Sequence, residues 1–466
     1  MMVRIRRHYV PLQVVILAAV DFLILFLSMY VGIELRLPDV DIVSPQGIVS
    51  AAPRSITYVV AMFTVMIAVG LYERDVLQDT WIYYVRLAMA FVLGLLAMTF
   101  VFYLLPDLFL GRGAFALTML ASALGIVSAR ELCLRIVSRE ILRSRVLVLG
   151  TGSRAALIEK LRRNHGGRRK FDIVGYVPIG SNSHAVPAEK IIQPQTSLVD
   201  LALRLRVAEI VIAVRDRRGG KLPIRELLEC KIEGIGVIDL ASFFERETGR
   251  VQLDSFNMSW MVFSDGFCCT SLHRWVKRIV DVAASATMLT ASFPILVLTA
   301  LAVMIESGRP ILYRQVRIGE RGALFEVLKF RSMRVDAEQS GVPQWAQRND
   351  SRVTRVGSVI RLLRFDELPQ LFNVLRGDMS FVGPRPERPF FVKQLEQEIP
   401  YYANRHKIKP GITGWAQIRY PYGASVTDAR EKLQYDLYYA KNHSLFLDLL
   451  IMLQTAHVVI FGKGAR

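Results

Sequence analysis

Four long apolar runs open the chain: Pro11 to Ile33, Ile56 to Tyr72, Val85 to Leu105 and Ala114 to Cys133. Each is close to the ~20 residues a helix needs to cross the hydrocarbon core of a bilayer, so the pattern predicts a four-helix transmembrane bundle over residues 1–140. The first run is too long, and too far from a small-residue cleavage site, to be a removed signal peptide. Asp21 lies inside it, and a carboxylate is costly against lipid, which predicts that Asp21 faces other helices. Arg4, Arg6 and Arg7 precede the first run, and Arg130, Arg135, Arg139, Arg143 and Arg145 follow or close the fourth. The positive-inside bias then puts both ends of the bundle in the cytoplasm.

From Arg145 the period changes. "RVLVLGTGSRAALIEKLRR" is a β-branched run, a glycine turn and an amphipathic helix; "FDIVGYV", "AEIVIAV" and "IGVIDL" follow with helical stretches between. This alternation predicts a parallel α/β sheet, a Rossmann-like domain over residues 143–245. Gly150, Gly152 and Ala155 fit the G-x-G-x-x-A turn in which phosphate approaches backbone N–H groups at a helix start, so Gly150 and Gly152 are candidate cofactor-binding positions. The acid expected after the second strand is missing, because "VGYVPIG" continues with Pro178 and Ile179. The preferred reading is a docking or regulatory domain that keeps the fold without binding NAD.

A polar connector, 246–270, leads to a last apolar run, Val282 to Ile305, with Pro294 at its middle. Proline removes a helical hydrogen bond and forces a kink there. Hydropathy alone favours a kinked span; a helix that bends at Pro294 and returns, a re-entrant helix over 277–305, keeps the rest of the chain in the cytoplasm. The C-terminal "LFLDLLIMLQTAHVVIFGKGAR" reads either as an amphipathic helix on the membrane interface or as a core helix of its domain.

The composition fits this layout. A formal charge of +18 beside 52% apolar residues suits a membrane protein with a basic cytoplasmic face. No aromatic-rich basic module accompanies the charge, so no nucleic-acid partner is expected. Cys133, Cys230, Cys268 and Cys269 show no C-x-x-C spacing, which argues against zinc and against a disulfide framework.

The densest chemistry is "LRFDELPQLFNVLRGDMSFVGPRP". Eight arginines lie between 348 and 388, namely Arg348, Arg352, Arg355, Arg361, Arg364, Arg376, Arg385 and Arg388. Guanidinium forks pair with phosphate oxygens, which makes this a setting for a polyphosphate. Upstream, Lys329 and Arg331 end an apolar-patterned strand and are expected to reach the same place. Asp366 and Glu367 precede Pro369, so they sit at a helix start. Alone, the pair reads as a helix cap. Read functionally, a helix start keeps Asp366 ionised and able to attack phosphorus, and the two carboxylates offer oxygen ligands to Mg²⁺.

"VKRIVDV…FPILVL", "KFRSM", "RFDELPQLFNVLRGDMSFVGPRP" and "KIKPGITGWAQ" occur in one order from Leu272 to about Lys463. This series resembles the bacterial sugar transferase family, the polyprenol-phosphate hexose-1-phosphate transferases, and the four spans with a Rossmann-like middle resemble its long form. The resemblance implies an integral membrane α-helical bundle, an α/β Rossmann-like domain, and a mainly α membrane-associated catalytic domain, 271–466, with a re-entrant helix. It implies transfer of a hexose-1-phosphate from a UDP-sugar to undecaprenyl (polyprenol) phosphate at the cytoplasmic face of the bacterial inner membrane, releasing UMP. By motif, Asp366 is the nucleophile, Glu367 its partner in Mg²⁺ binding and catalysis, and Pro294 the helix break. Lys277 and Arg278 match the basic pair that opens the re-entrant helix, and Arg361 and Arg385 match phosphate-handling arginines. The chain departs from the family pattern after "GITGWAQ", where it reads "IRYPYGAS"; Arg419 is the cation available there. Membrane lipid is a further partner and a homodimer is compatible.

Other classes fit less well. A membrane-anchored nucleotide-sugar dehydratase needs a Tyr-x-x-x-Lys pair, and no tyrosine here has a lysine four residues later. A metal-dependent glycosyltransferase would use Asp-x-Asp, present only at Asp39 to Asp41 in an expected outside loop. A scaffold or sensor with an inactive transferase domain remains as the non-enzymatic reading.

Overall fold

A computed structural model describes residues 2–5, 8–36, 45–72, 80–109, 111–136, 144–164, 171–179, 185–214, 222–255, 266–267, 270–334, 352–421, 423 and 425–460. Arg348, the Asp39–Asp41 motif, Cys268, Cys269 and the basic C-terminal end lie outside them. The chain divides into two compact units: 1–263 without 6–8 and 67–70, and 264–466 with those two short pieces.

In the first unit, helices α1 (Leu12–Arg36), α2 (Pro45–Ala68), α3 (Thr80–Leu104) and α4 (Arg112–Ile136) carry the four apolar runs, and each is long and apolar enough to cross a membrane. Small residues let α1 and α4 approach: a Cβ at Gly32 would lie 2.1 Å from Thr118 Oγ1, and one at Gly125 2.6 Å from Ile24. Asp21 is buried, as its cost in lipid requires, and accepts a hydrogen bond from Tyr72 at 3.0 Å.

Strands β1 (Ser144–Leu149), β2 (Phe171–Val177), β3 (Glu209–Ile212) and β4 (Gly236–Asp239) form a parallel sheet in the order β2-β1-β3-β4. Alternation along β1 sends Val146 and Val148 toward α5 (Ser153–Asn164) and α8 (Leu240–Thr248). It sends Leu147 and Leu149 toward α6 (Leu198–Arg204) and α7 (Ile224–Ile232). A single parallel bridge, Ile191 to Tyr176, sits outside β2 where a third strand would lie. The sheet is thus parallel throughout, with helices packed on both of its faces.

The second unit begins with α9 (Ser271–Ser307), a continuous helix with Pro294 inside. Pro294 leaves the Thr290 carbonyl without its helical donor. Just before it, the Ser292 and Thr290 hydroxyls bond the carbonyls of Met288 and Ala286 at 2.7 and 3.0 Å, a pattern that favours bending. Both ends of α9 are fastened to the same unit. Near the start, Asp281 accepts from Ser380 Oγ and the Phe381 N–H. At the end, Glu306 accepts from the N–H groups of Arg355 and Val356 at 2.8 and 3.0 Å.

An antiparallel hairpin follows, β5 (Leu312–Ile318) and β6 (Leu324–Phe330). Helix α10 (Arg355–Leu362), a 3-10 turn at Phe365–Glu367 and α11 (Gln370–Arg376) come next. Strand β7 (Ser380–Val382) pairs in parallel with β8 (Gly411–Thr413), and around them lie α12 (Pro389–Glu398), α13 (Trp415–Arg419), α14 (Val426–Asn442) and α15 (Leu445–Ile460). The interfacial reading of the C-terminal segment gives way to the core one. Leu447, Asp448, Ile451 and Gln454 of α15 are buried, and Thr455 bonds Thr413 at 2.6 Å.

Candidate active site

Four segments of the second unit bring charge to one place: the end of β6, the end of α10, the turn at Phe365–Glu367 and the loop after β7. Arg364 takes a left-handed conformation, φ 61°, that ends α10's direction and starts the turn. Pro369 then opens α11, and its fixed φ suits a helix start. Asn373 of α11 is fully buried. Its Oδ1 accepts from Leu328 N–H at 3.0 Å and its Nδ2 donates to the Glu326 carbonyl at 2.7 Å, so β6 is registered against the helix that follows the acid pair. That register delivers Lys329 to Glu367, with Nζ 3.3 Å from Oε1.

Arg385 arrives from the other side. Gly383 admits its loop, because a Cβ there would stand 2.3 Å from the Lys409 carbonyl. Arg405 is buried between Asp436 (2.9 Å) and the Tyr402 hydroxyl (2.6 Å), and donates to the Arg385 carbonyl at 2.9 Å. Arg385 itself reaches Glu367 Oε1 at 2.6 Å, and Arg364 stands 4.0 Å from Oε2.

The two carboxylates therefore differ. Burial alone would raise Glu367, but Arg385, Lys329 and Arg364 overcome it and hold its carboxyl well below the usual range. For Asp366, burial first and then the Glu367 charge push the carboxyl up, against Lys329, Arg361 and Arg385. This reverses the expectation that a helix start keeps Asp366 low: the turn is buried, and desolvation outweighs a helix dipole that is screened and short in reach. Lys329 is drawn down chiefly by its own burial. Among the described residues none hydrogen-bonds the Asp366 carboxylate, although the residue is 8% exposed. Glu367 is clamped; Asp366 is held close and left unclamped.

The other expected site residues fall into two groups. Arg361 acts on Asp366 through its charge while its Nε donates to Ser332 Oγ at 2.9 Å. Arg331 is committed elsewhere: its N–H carries the hairpin one step further to the Ile311 carbonyl, and its Nη2 binds the Ser307 and Gly308 carbonyls at 2.5 and 2.8 Å, closing the end of α9. Lys277 is spent on Asp448 (2.8 Å) and the Val382 carbonyl (3.3 Å), and Arg278 on the Val374 and Leu375 carbonyls at the end of α11. Both fasten α9 rather than gather at the acid pair. Arg419 lies over the Trp415 ring of its own helix, 4.5 Å from the centroid.

In the α/β domain, Gly150 takes φ +117° and its N–H is committed to the Val177 carbonyl at 2.8 Å; Gly152 precedes α5 and accepts from Ala156 N–H. Asn373 and Arg405 were not among the sequence candidates. The only signal for Asn373 is a polar residue on the apolar face of "LPQLFNVL", and none marks Arg405.

Among the described residues no group of three or more His, Cys, Asp or Glu side chains could hold a metal ion. The donor set fits Mg²⁺ only in part: Asp366 and the second Glu367 oxygen are available, and substrate phosphates would have to complete the shell.

Residues 272–462 match the family described as bacterial sugar transferase. The chain is 48% identical over 192 residues to the UDP-glucose:undecaprenyl-phosphate glucose-1-phosphate transferase of Caulobacter vibrioides, covering 41% of this chain and 71% of that protein. It is 43% identical over 242 residues to the UDP-N-acetylgalactosamine-undecaprenyl-phosphate N-acetylgalactosaminephosphotransferase of Aeromonas hydrophila, covering 52% of this chain and 56% of that one. To the undecaprenyl-phosphate glucose phosphotransferase of Komagataeibacter xylinus it is 44% identical over 194 residues, covering 41% of this chain and 36% of the relative. The match thus spans about half and about a third of the last two relatives. The chain belongs to the bacterial sugar transferase family.

Proposed function

We propose that the chain transfers a hexose-1-phosphate from a UDP-sugar to undecaprenyl phosphate, as the initiating step of a surface polysaccharide such as an exopolysaccharide, capsule or O-antigen. An Asp366 oxygen attacks the β-phosphorus; the bond to the bridging oxygen breaks and its electron pair leaves with UMP. An oxygen of the acceptor phosphate then attacks the same phosphorus, and the carboxylate of Asp366 is restored. Arg385 and Lys329 stabilise the phosphoryl oxygens as charge moves to the leaving group. Mg²⁺, held by Asp366, Glu367 and the diphosphate, would neutralise phosphate charge. The observation that carries the reading is the buried yet unclamped Asp366 carboxylate beside a Glu367 fixed by two cations.

Its test is a rapid-quench assay of purified protein with UDP-sugar and Mg²⁺ but no acceptor. A UMP burst approaching one per site, with a sugar-phosphate adduct on Asp366, is expected; UMP appearing only when lipid is added would refute the covalent route. The relatives' names include both glucose and N-acetylgalactosamine, so the same assay run across UDP-sugars identifies the donor.

We further propose that α9 is re-entrant and that this domain lies on the cytoplasmic face of the inner membrane. Supporting this, both ends of α9 bond a single unit whose parts are themselves tied by Asn373. A straight crossing of the ~30 Å hydrocarbon core would part those ends. A cysteine at position 340, outside the described residues, should resist membrane-impermeant reagents in intact cells. Labelling from outside would mean that α9 spans.

A further inference from the structure

The loop that carries Arg385 contains two prolines, Pro384 and Pro386, which have no N–H to give. It is held instead through its carbonyls, each taken in turn. Gly411 N–H of β8 donates to Pro384 at 2.9 Å, Arg405 to Arg385 at 2.9 Å, Arg317 Nη1 to Pro386 at 3.1 Å and Ile318 N–H to Glu387 at 3.0 Å. The outer donors are backbone groups, and the inner ones are guanidinium groups from different parts of the chain.

Arg317 has no part in the steps above. It lies on β5, and the register with β6 puts it with Tyr313 and Gln315 on the face that carries Lys329. Gln315 Oε1 accepts from both its Nε (2.9 Å) and its Nη2, which turns the third nitrogen, Nη1, to the Pro386 carbonyl and to Glu387 Oε2 at 3.4 Å. The side chain is only 17% exposed. Burial first, and then the charges of Arg385 and Arg388, oppose its positive charge, against Glu387. A cation is therefore a costly group to place here, and a neutral donor could satisfy the carbonyl. What the guanidinium adds is a rigid planar fork, pinned to the strand at one end and to the loop at the other.

The strand so joined to the loop is the partner of β6, whose Lys329 meets the same Glu367 oxygen as Arg385, at 3.3 Å against 2.6 Å. We infer that Arg317 is a positioning residue for the first transfer step: it ties the Arg385 loop to the hairpin that carries Lys329, and so sets the spacing of the two cations that the phosphoryl group meets. The inference rests on the transferase reading above. If Arg317 served only as an ion pair with Glu387 that steadies the fold, its removal would act independently of Arg385.

The test is a double-mutant cycle read on the rate of the acceptor-free UMP burst, with full-length protein in nanodiscs. Arg317→Ala is expected to slow the burst by about 10–100-fold, the scale on which a positioned group loses effect when displaced by about 1 Å. In an Arg385→Ala background the same substitution should change the rate by less than about twofold, because no guanidinium is left to place. Gln315→Met keeps the Arg317 charge and removes the acceptor that aims it; it should slow the burst by about 3–10-fold, again only while Arg385 is present. A burst rate unchanged by Arg317→Ala overturns the inference, as does equal slowing in both backgrounds. Where Arg317→Ala does not fold, the Gln315→Met cycle decides by the same two outcomes. A wild-type protein that gives no UMP burst from any UDP-sugar defeats the transferase reading instead, and this inference with it.

Discussion

Asp366→Asn is expected to abolish transfer, by at least about 10⁴-fold, and to do so without loss of stability. The amide has nearly the carboxylate's shape but no electron pair basic enough to attack phosphorus, so neither the UMP burst nor the adduct should form. Stability should move the other way. A carboxyl pushed up by burial and by Glu367 is one whose charged form the folded state disfavours. Its folded pKa lies above the unfolded one, so its contribution to stability is full at low pH and is lost as pH rises through the folded pKa. At neutral pH a neutral amide relieves that cost, and thermal unfolding should occur at the same temperature or higher. Turnover above about 1% of wild type would remove Asp366 as nucleophile. Loss of activity with a lowered melting temperature would mean a structural role.

That opposition between reactivity and stability lay beyond reach of the sequence, and the reason is specific. The acid pair, Pro369 and Arg385 share one short stretch, so their proximity was legible from local pattern. The direction of Asp366's shift depends on what buries it, and the burying elements come from elsewhere in the chain. The same limit explains Lys277: the sequence shows a cation beside Arg278, but its acceptor, Asp448, is 171 residues away. For Arg331 the missing information is likewise remote: the carbonyls its guanidinium takes, those of Ser307 and Gly308, close a helix more than twenty residues earlier. Spans were read well because a bilayer selects for length and apolarity alone. Helix α2 still begins at Pro45 rather than Ile56, because its first turns carry the polar "PQGIVSAAPRS", which hydropathy discounts. The sheet was legible as alternation, but the single bridge at Ile191 beside its edge has no run long enough to show.

Arg385→Ala should lower the rate of the first step by about 10²–10³-fold, in the range seen when one preorganised charge donor is removed. It should also change the shape of the pH profile, which a mere loss of substrate affinity would not. Attack requires ionised Asp366, so activity falls as pH drops through its pKa. Arg385 is one of the three cations opposing the rise of that pKa. Without it the carboxyl rises further, and the acid limb of the single-turnover rate moves to higher pH. Lys329 and Arg364 remain on Glu367, so its charge persists and goes on raising Asp366. Arg385→Lys keeps the charge but loses the planar fork, and should recover the position of the limb better than the rate. Arg405 fixes the Arg385 backbone through the carbonyl at 2.9 Å, so the restored cation stands on the same support. If Arg385→Ala slows the reaction while the acid limb stays in place, Arg385 binds phosphate without tuning the nucleophile, and the electrostatic coupling of the site is wrong.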